Sequence, residues 1–126
     1  MPGPFSADNR VARRFPVLLH ILFRLVKSPV GEKPEAELHN GNNTMSDISR
    51  SGFLLSTKNF LDIKSVIEVE FAPPEAKEKI RAEAEVVRAN YQNFPNQGRY
   101  EYGLRFIGMH PHFRELHENF MKSFGG

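Results

Sequence analysis

The sequence predicts an all-β fold with one C-terminal helix. Several short runs alternate between apolar and polar residues, which is the period of a half-buried strand. Proline, glycine and asparagine separate most of these runs, and only the last segment changes to helical spacing. The connections leave no room for parallel crossovers, so the six candidate strands favour a six-stranded antiparallel β-barrel that the helix caps.

Length and composition set broad limits. The chain has 126 residues, of which 40% are hydrophobic and 25% charged, as in an ordinary globular protein. Residues 1–9 are rich in proline, glycine and polar side chains, so we expect a flexible leader followed by a single domain over residues 10–126. The formal net charge of +2 is too small for a surface that binds duplex nucleic acid.

The absence of cysteine narrows both the chemistry and the compartment. It excludes a disulfide framework, a thiolate zinc site and a cysteine nucleophile, and it fits a reducing compartment. The longest apolar stretch, residues 15–26, is interrupted by His20 and Arg24 and falls well short of the about 20 residues that cross a bilayer. We therefore predict a cytoplasmic protein without membrane insertion.

The first two candidate strands differ in how clearly their sequence patterns indicate β-structure. Residues 16–26 alternate with a period of two, which predicts a strand, although hydropathy alone also permits an amphipathic helix. Residues 27–34 contain two prolines and a glycine, as in a connection. Residues 35–49 are polar and rich in asparagine, so their strand pattern is weaker.

The later strands are marked more clearly. Residues 53–57 form a β-type run, and the Ser-Arg-Ser-Gly before them is typical of a tight turn in which Gly52 can adopt positive φ. Residues 67–71 alternate and end before two prolines. Residues 80–91 and 99–107, joined by a polar loop with proline and glycine, predict the longest hairpin.

The final segment, about residues 110–124, has the spacing of an amphipathic helix. Its apolar stripe consists of Phe113, Leu116, His117, Phe120, Met121 and Phe124. We expect this stripe to pack on the barrel, because an apolar helical face usually buries against its own domain. A partner-docking surface would show the same pattern and stays an alternative.

The N-terminal arm concentrates positive charge. Three arginines, Arg10, Arg13 and Arg14, lie within the first fourteen residues against one acid, Asp8. The Arg10-x-x-x-Arg14 spacing lets both side chains reach one nucleotide-sized ligand from an extended arm or from one helical turn. A guanidinium suits phosphate oxygens and the O6 and N7 atoms of guanine. Taken alone, this motif also fits a solvated basic arm.

A second motif, Asp47-Ile48-Ser49-x-x-Gly52, lies at a turn between apolar runs. The carboxylate of Asp47 can accept two hydrogen bonds from the N1 and N2 donors of guanine, and Ser49 can donate and accept nearby. Gly52 removes a side chain where a ligand or the arm approaches. The alternative is a local turn whose side chains satisfy only neighbouring backbone amides.

In combination, these motifs resemble those of the PilZ domain family. The resemblance rests on Arg10-x-x-x-Arg14 with Phe15-Pro16-Val17, on the segment Asp47-Ile48-Ser49-Arg50-Ser51-Gly52-Phe53-Leu54-Leu55, and on Tyr102-Gly103-Leu104-Arg105-Phe106. It spans residues 10–107 and the terminal helix. It implies a six-stranded barrel that binds cyclic di-GMP, a bacterial second messenger.

The resemblance also implies a role for each motif residue. Arg10 and Arg14 would surround the phosphates and the O6/N7 edges of the ligand's guanines. Asp47 and Ser49 would contact a guanine edge, and Gly52 would shape the turn against which the ligand lies.

The register of the arginine motif has two readings. Many family members carry a doubled arginine at the start of the motif, whereas here the doublet Arg13-Arg14 would end it. A start at Arg13 would put Val17 at the second arginine position, so we prefer Arg10 and Arg14. Arg13 is then a secondary candidate for a phosphate contact, or it points to solvent.

Other patterns indicate neither catalysis nor a metal. His110 and His112 flank a proline at a helix start, and His117 lies among apolar helix positions, so isolated metal-like spacing carries little weight. No acid–base pair, glycine-rich phosphate loop or nucleophile elbow is recognisable in the sequence. We predict no enzymatic activity, no bound metal and no cofactor.

The sequence therefore predicts a non-enzymatic receptor. Cyclic di-GMP would order the arm on the barrel and change the surface offered to an unidentified downstream protein, in motility, adhesion or pilus control as the resemblance suggests. We expect a monomer or weak homodimer that binds one ligand or an intercalated pair. Two alternatives are an adaptor that binds no nucleotide and a barrel that stacks single-stranded nucleic acid on Tyr91, Tyr100 and Tyr102.

Overall fold

The computed structural model describes residues 17–39, 41–74, 76–90 and 99–123. Within these ranges the chain forms seven strands followed by one helix. The strands are β1 (Leu19–His20), β2 (Leu22–Lys27), β3 (Thr44–Ser46), β4 (Gly52–Thr57), β5 (Val66–Phe71), β6 (Ile80–Asn90) and β7 (Tyr100–Met109), and the helix is α1 (Pro111–Lys122).

All strands belong to one antiparallel sheet with the order β1-β3-β4-β7-β6-β5-β2. The two edge strands, β1 and β2, are separated in the chain by Ile21 alone. β1 pairs Leu19 with Met45 of β3, and β2 pairs Phe23 with Val69 of β5. Because consecutive parts of one segment occupy both edges, the sheet curls into a half-barrel, consistent with a PilZ-like barrel.

The predicted fold class is confirmed, with seven strands where the sequence predicted six. The difference arises in the predicted strand 16–26, which changes partner at Ile21 and so forms two strands. The Ile21 N–H donates to the Asn43 carbonyl at 3.1 Å, on the β3 side of this change. Residues 35–49, with the weaker pattern, supply only the three residues of β3.

The core forms where alternating side chains of the curled sheet meet helix α1. Among the side chains that are almost fully enclosed are Phe23, Met45, Leu55, Ile67, Val69, Phe71, Val86 and Tyr102. From α1, His117, Phe120 and Met121 are buried, and Phe113 and Leu116 pack against the core. The predicted packing of the helical stripe is thus confirmed for these residues, whereas Phe124 lies outside the described ranges.

Several predictions fall on residues that the structure does not describe. They concern the leader 1–9, the arginines Arg10, Arg13 and Arg14, and Tyr91 at the predicted end of a strand. The division into a leader and one domain over 10–126 stays a prediction. In the part of the chain that is described, no helix is long and apolar enough to cross a membrane.

Candidate functional site

The turn between β3 and β4, residues 47–51, forms an exposed corner of the barrel. The last residue pair before it is Ser46 with Leu54. Ile48 is fully buried and anchors the corner in the core. Asp47 has φ 46°, a left-handed conformation that short polar side chains tolerate better than most. We refer to residues 47–52 as the corner.

Ser49 holds the corner together from inside. Its side chain is 3% exposed, and its Oγ accepts hydrogen bonds from the N–H groups of Ser51 at 3.2 Å and Gly52 at 3.1 Å. Its own N–H donates to the Gly52 carbonyl at 2.9 Å. Serine suits this position because one hydroxyl can satisfy neighbouring backbone amides in a turn.

Gly52 is required by the approach of β7. A Cβ at this position would collide with the backbone carbonyl oxygen of Leu104 and lie 3.2 Å from the Cα of Arg105. The φ angle of Gly52 is not positive, since Gly31 alone among the described glycines has a positive value. The sequence-based expectation of a left-handed Gly52 was therefore wrong, and Asp47 supplies that conformation instead.

His117 of α1 clamps the corner to the helix. Its Nε2 lies 2.9 Å from the Ser49 carbonyl oxygen, which can only accept, so Nε2 carries the proton. The ring is 1% exposed and packs against Phe71 and Phe106 at centroid distances of 6.0 and 5.1 Å. Burial lowers the pKa of this imidazole below its ordinary value, only partly opposed by the hydrogen bond to Ser49. The neutral ring is therefore the form that fits.

Three of the predicted ligand residues, Asp47, Ser49 and Gly52, line one cleft of about 260 Å³ on the outer face of the barrel. The opposite wall comes from β6 and β7 and includes Arg88, with Gly103 in β7 beside it. The sheet order explains this meeting, because β7 lies between β4 and β6. We call this depression the corner cleft.

A β-bulge brings Arg88 to the cleft. Val86 pairs with Leu104 and Arg88 with Gly103, so Val87 is an extra residue in β6. Strict alternation would turn Arg88 inward like Val86, which is fully buried. The bulge instead leaves both Val87 and Arg88 exposed, in keeping with the tendency of bulges to re-aim side chains.

The charges of the corner cleft are only partly paired. The guanidinium of Arg105 binds the Glu85 carboxylate, with 2.7 Å between Nη2 and Oε1. Among the residues that the structure describes, neither Arg88 nor Asp47 has a side-chain hydrogen-bond or ion-pair partner. One guanidinium and one carboxylate are therefore available to a ligand, and such groups make strong charge-assisted hydrogen bonds.

The N-terminal segment enters the barrel beside the corner. In the β1–β3 pair, Leu19 is opposite Met45 and His20 is opposite Thr44. Met45 lies two residues before Asp47, so the described part of the N-terminal segment pairs with the end of β3 that leads into the corner.

The sequence model of the PilZ domain family matches residues 8–123, which is nearly the whole chain. The chain belongs to the PilZ domain family. PilZ domains are in general receptors for cyclic di-GMP and typically act as ligand-binding adaptors. Comparisons with curated proteins and with solved structures gave no match.

The structure thus brings together Asp47, Ser49 and Gly52, three of the residues that the sequence predicted to bind a ligand, while Arg10, Arg13 and Arg14 lie outside the described ranges. Sequence reasoning missed Arg88 as a cleft residue. The available clue was the break in alternation after Val86, where two valines and an arginine replace the apolar–polar repeat. His117 was read as a packed imidazole, and its hydrogen bond to the corner had no sequence pattern that could reveal it.

The remaining histidines near the helix start have local roles. Nδ1 of His110 accepts the His112 N–H at 3.1 Å, which caps the helix N-terminus. Nε2 of His112 lies 3.0 Å from the Glu78 carboxylate. Among the described residues, no group of three or more histidine or acidic side chains is placed to hold a metal ion.

Proposed function

We propose that this PilZ protein is a receptor for cyclic di-GMP, which binds between the N-terminal arm and the corner cleft. One observation carries the proposal: Leu19 of β1 pairs with Met45, two residues before Asp47, and the Asp47 carboxylate has no partner among the described side chains. Arg14 precedes Val17 by three residues, so its Cα lies within about 11 Å of that of Val17. The arm is thus long enough to reach a ligand in the cleft.

In this proposal the corner recognises a guanine edge. The Asp47 carboxylate accepts hydrogen bonds from the N1 and N2 donors of the base. Ser49 lines the cleft, but its hydroxyl already serves the backbone amides of Ser51 and Gly52, so it acts chiefly by shaping the corner. Gly52 contributes by allowing β4 and β7 to approach closely.

The arm supplies the charge that the ligand needs. Cyclic di-GMP carries two phosphodiester anions, and Arg10 and Arg14 bind these phosphates and the O6/N7 edges of the guanines, with Arg13 as a secondary contact. A charge-assisted hydrogen bond contributes about 1.5 to 3 kcal/mol, which offsets the cost of about 1 to 2 kcal/mol for ordering each arm residue. Binding therefore orders the arm across the cleft.

The proposed output is a change of surface rather than a reaction. An ordered arm covers part of the outer barrel face and changes what a downstream protein can bind. The receptor would work in the cytoplasm, as a monomer or weak homodimer, without a cofactor, metal or catalytic step. Calorimetric stoichiometry would distinguish one bound ligand from an intercalated pair.

Two other functions receive less support. An adaptor that binds no nucleotide would have no use for an Asp47 carboxylate that lines the cleft without a partner among the described side chains. A barrel that stacks single-stranded nucleic acid would need accessible aromatic rings, but Tyr102 is fully buried. Its hydroxyl accepts the Leu61 N–H at 2.8 Å and donates to the Asn59 carbonyl at 3.1 Å.

Isothermal titration calorimetry with cyclic di-GMP tests the proposal. We expect the wild-type protein to bind, and Asp47→Ala and Arg14→Ala each to weaken binding at least about tenfold, since each removes a charge-assisted contact. Asp62→Ala is the matched control for Asp47, because Asp62 lies in the β4–β5 loop and does not line the cleft. It should change the affinity by less than about twofold.

Circular dichroism should show that every variant remains folded. The proposal would be wrong if the wild-type protein bound no cyclic di-GMP. The site assignment would be wrong if Asp47→Ala and Arg14→Ala bound as tightly as Asp62→Ala.

A further inference from the structure

Arg88 stands between two adjacent depressions on the outer face of the barrel. One is the corner cleft, and the other, of about 210 Å³, is lined by Ala89, Asn90, Glu101 and Tyr102. Arg88, Leu54 and Gly103 line both. The Arg88 side chain therefore forms a partition between them.

The guanidinium of Arg88 lies over Gly103 and points the edge formed by Nε and Nη2 toward it. A Cβ built on Gly103 would lie 2.8 Å from Nε, 3.1 Å from Nη2 and 3.4 Å from Cζ of Arg88. Because Cζ is the farthest of the three atoms, this point lies in the fork between the two nitrogens and not above the guanidinium plane. The guanidinium plane is thus upright on the sheet surface, so its faces are turned along that surface and Nε and Nη2 point at Gly103.

This orientation favours a base over a phosphate as the group that contacts Arg88. Phosphate recognition uses the N–H edge of a guanidinium, whereas stacking uses its face. The edge formed by Nε and Nη2 is directed at Gly103. In addition, Glu101 is one of the residues that line the far depression, and its negative charge disfavours an anion there.

We infer that Arg88 is a ligand-contacting residue of the corner cleft and that its guanidinium face stacks on the guanine base whose edge Asp47 binds. The inference rests on the proposed function. The two contacts are complementary, because Asp47 reads the hydrogen-bonding edge of the base while Arg88 covers its face. Gly103 keeps Arg88 in place, since a larger residue would fill the space that the guanidinium edge occupies.

Calorimetric titration of three single variants with cyclic di-GMP tests the stacking contact. A lysine keeps the positive charge but has no planar face, so Arg88→Lys and Arg88→Ala should both weaken binding by about fivefold or more, as expected for loss of one stacked base. The matched control is Arg114→Ala, which removes an equal charge from an exposed position of α1 that lines neither depression. Its affinity should stay within about twofold of wild type.

A double-mutant cycle tests the role of Gly103. The Cβ of Gly103→Ala would meet only the flexible end of the Arg88 side chain, so the barrel should remain folded while the guanidinium is displaced. We expect Gly103→Ala to weaken binding in the wild-type background and to have no further effect in the Arg88→Ala background. Additive effects would show that Gly103 acts independently of Arg88 and would overturn this step.

The outcomes separate the inference from the proposed function. Wild-type affinity in Arg88→Lys, with weaker binding only in Arg88→Ala, would mean a charge contact to phosphate and would overturn stacking. Wild-type affinity in both variants would exclude Arg88 from the site while the receptor proposal stands. A wild-type protein that binds no ligand would overturn both, and thermal unfolding of each variant would exclude loss of the fold as the cause.

Discussion

At the scale of single residues, the corner contains one residue that is placed to contact a ligand and two that maintain the backbone of the turn. Asp47 projects into the cleft with a carboxylate that has no partner among the described side chains, whereas Ser49 and Gly52 make the corner possible. In the proposed site, the corner therefore combines one residue that would offer hydrogen-bond acceptors to a ligand with others that hold the backbone. Substitution of Asp47 should therefore lower ligand affinity, whereas substitution of Ser49 or Gly52 should lower the stability of the fold.

Gly52→Ala should act mainly by lowering the stability of the fold, and not by removing a contact to the ligand. Its Cβ would meet the backbone carbonyl of Leu104, which cannot move without disturbing the β4–β7 pair. We expect the free energy of unfolding to fall by about 1 to 3 kcal/mol, the usual cost of overpacking, measured by urea denaturation. The control is Gly41→Ala, where a Cβ would meet nothing within 4 Å. Equal stability of the two variants would contradict this explanation of Gly52.

At the scale of secondary-structure elements, alternation predicted most strands and the helix but not where pairing changes. The runs at 53–57, 67–71 and 80–91 and the helical stripe are local patterns, and the structure has elements close to those bounds. The division of the first predicted strand at Ile21 depends instead on its pairing partners, because β1 pairs with β3 whereas β2 pairs with β5. The exposure of Arg88 likewise depends on the bulge at Val87. A bulge is defined by the pairing of β6 with β7, so the sequence of β6 alone does not show it.

The same distinction explains how much of the site could be predicted. Asp47, Ser49 and Gly52 are close in sequence, so one short motif indicates all three. Arg88 and His117 reach the corner only through the sheet order and the packing of α1. Contacts of this kind come from tertiary structure, and a single sequence shows at most a break in its alternation.

The link between α1 and the corner should make stability depend on pH. The pKa of His117 is lowered by burial, so the unfolded chain binds a proton more readily than the native state. Stability should therefore be fully present above the ordinary histidine pKa of 6.5 and decrease as the pH falls through that value toward the lower native pKa. In His117→Gln the amide can still donate to Ser49, but this protonation is absent.

Urea unfolding about one pH unit above and about one below the ordinary histidine pKa checks this prediction. The loss of stability on acidification should be larger in the wild-type protein than in His117→Gln. The same loss in both proteins would show that His117 does not titrate against folding.

At the scale of the whole molecule, the curl of the sheet brings the described N-terminal segment to the β3 end that leads into the corner. β1 and β2 occupy both edges of one sheet, so the segment that completes the barrel is also the one that follows the arginine motif. In the β1–β3 pair, Leu19 of this segment is opposite Met45, two residues before the corner begins. A ligand held by both elements would therefore bridge the start of the chain and the outer face formed by β4, β7 and β6.

The most direct test of this account is a titration of the isotope-labelled protein with cyclic di-GMP, followed by amide chemical shifts. We predict that the largest shifts cluster at residues 47–52 of the corner, at Val17 and Leu18, and at Arg88 and Gly103. Asp47→Ala should suppress them. Shifts confined to the groove that residues 73–74, 76–78 and 80 form with α1 would contradict the proposed site, because that groove shares no residue with the corner cleft. No shifts at saturating ligand would contradict the receptor function.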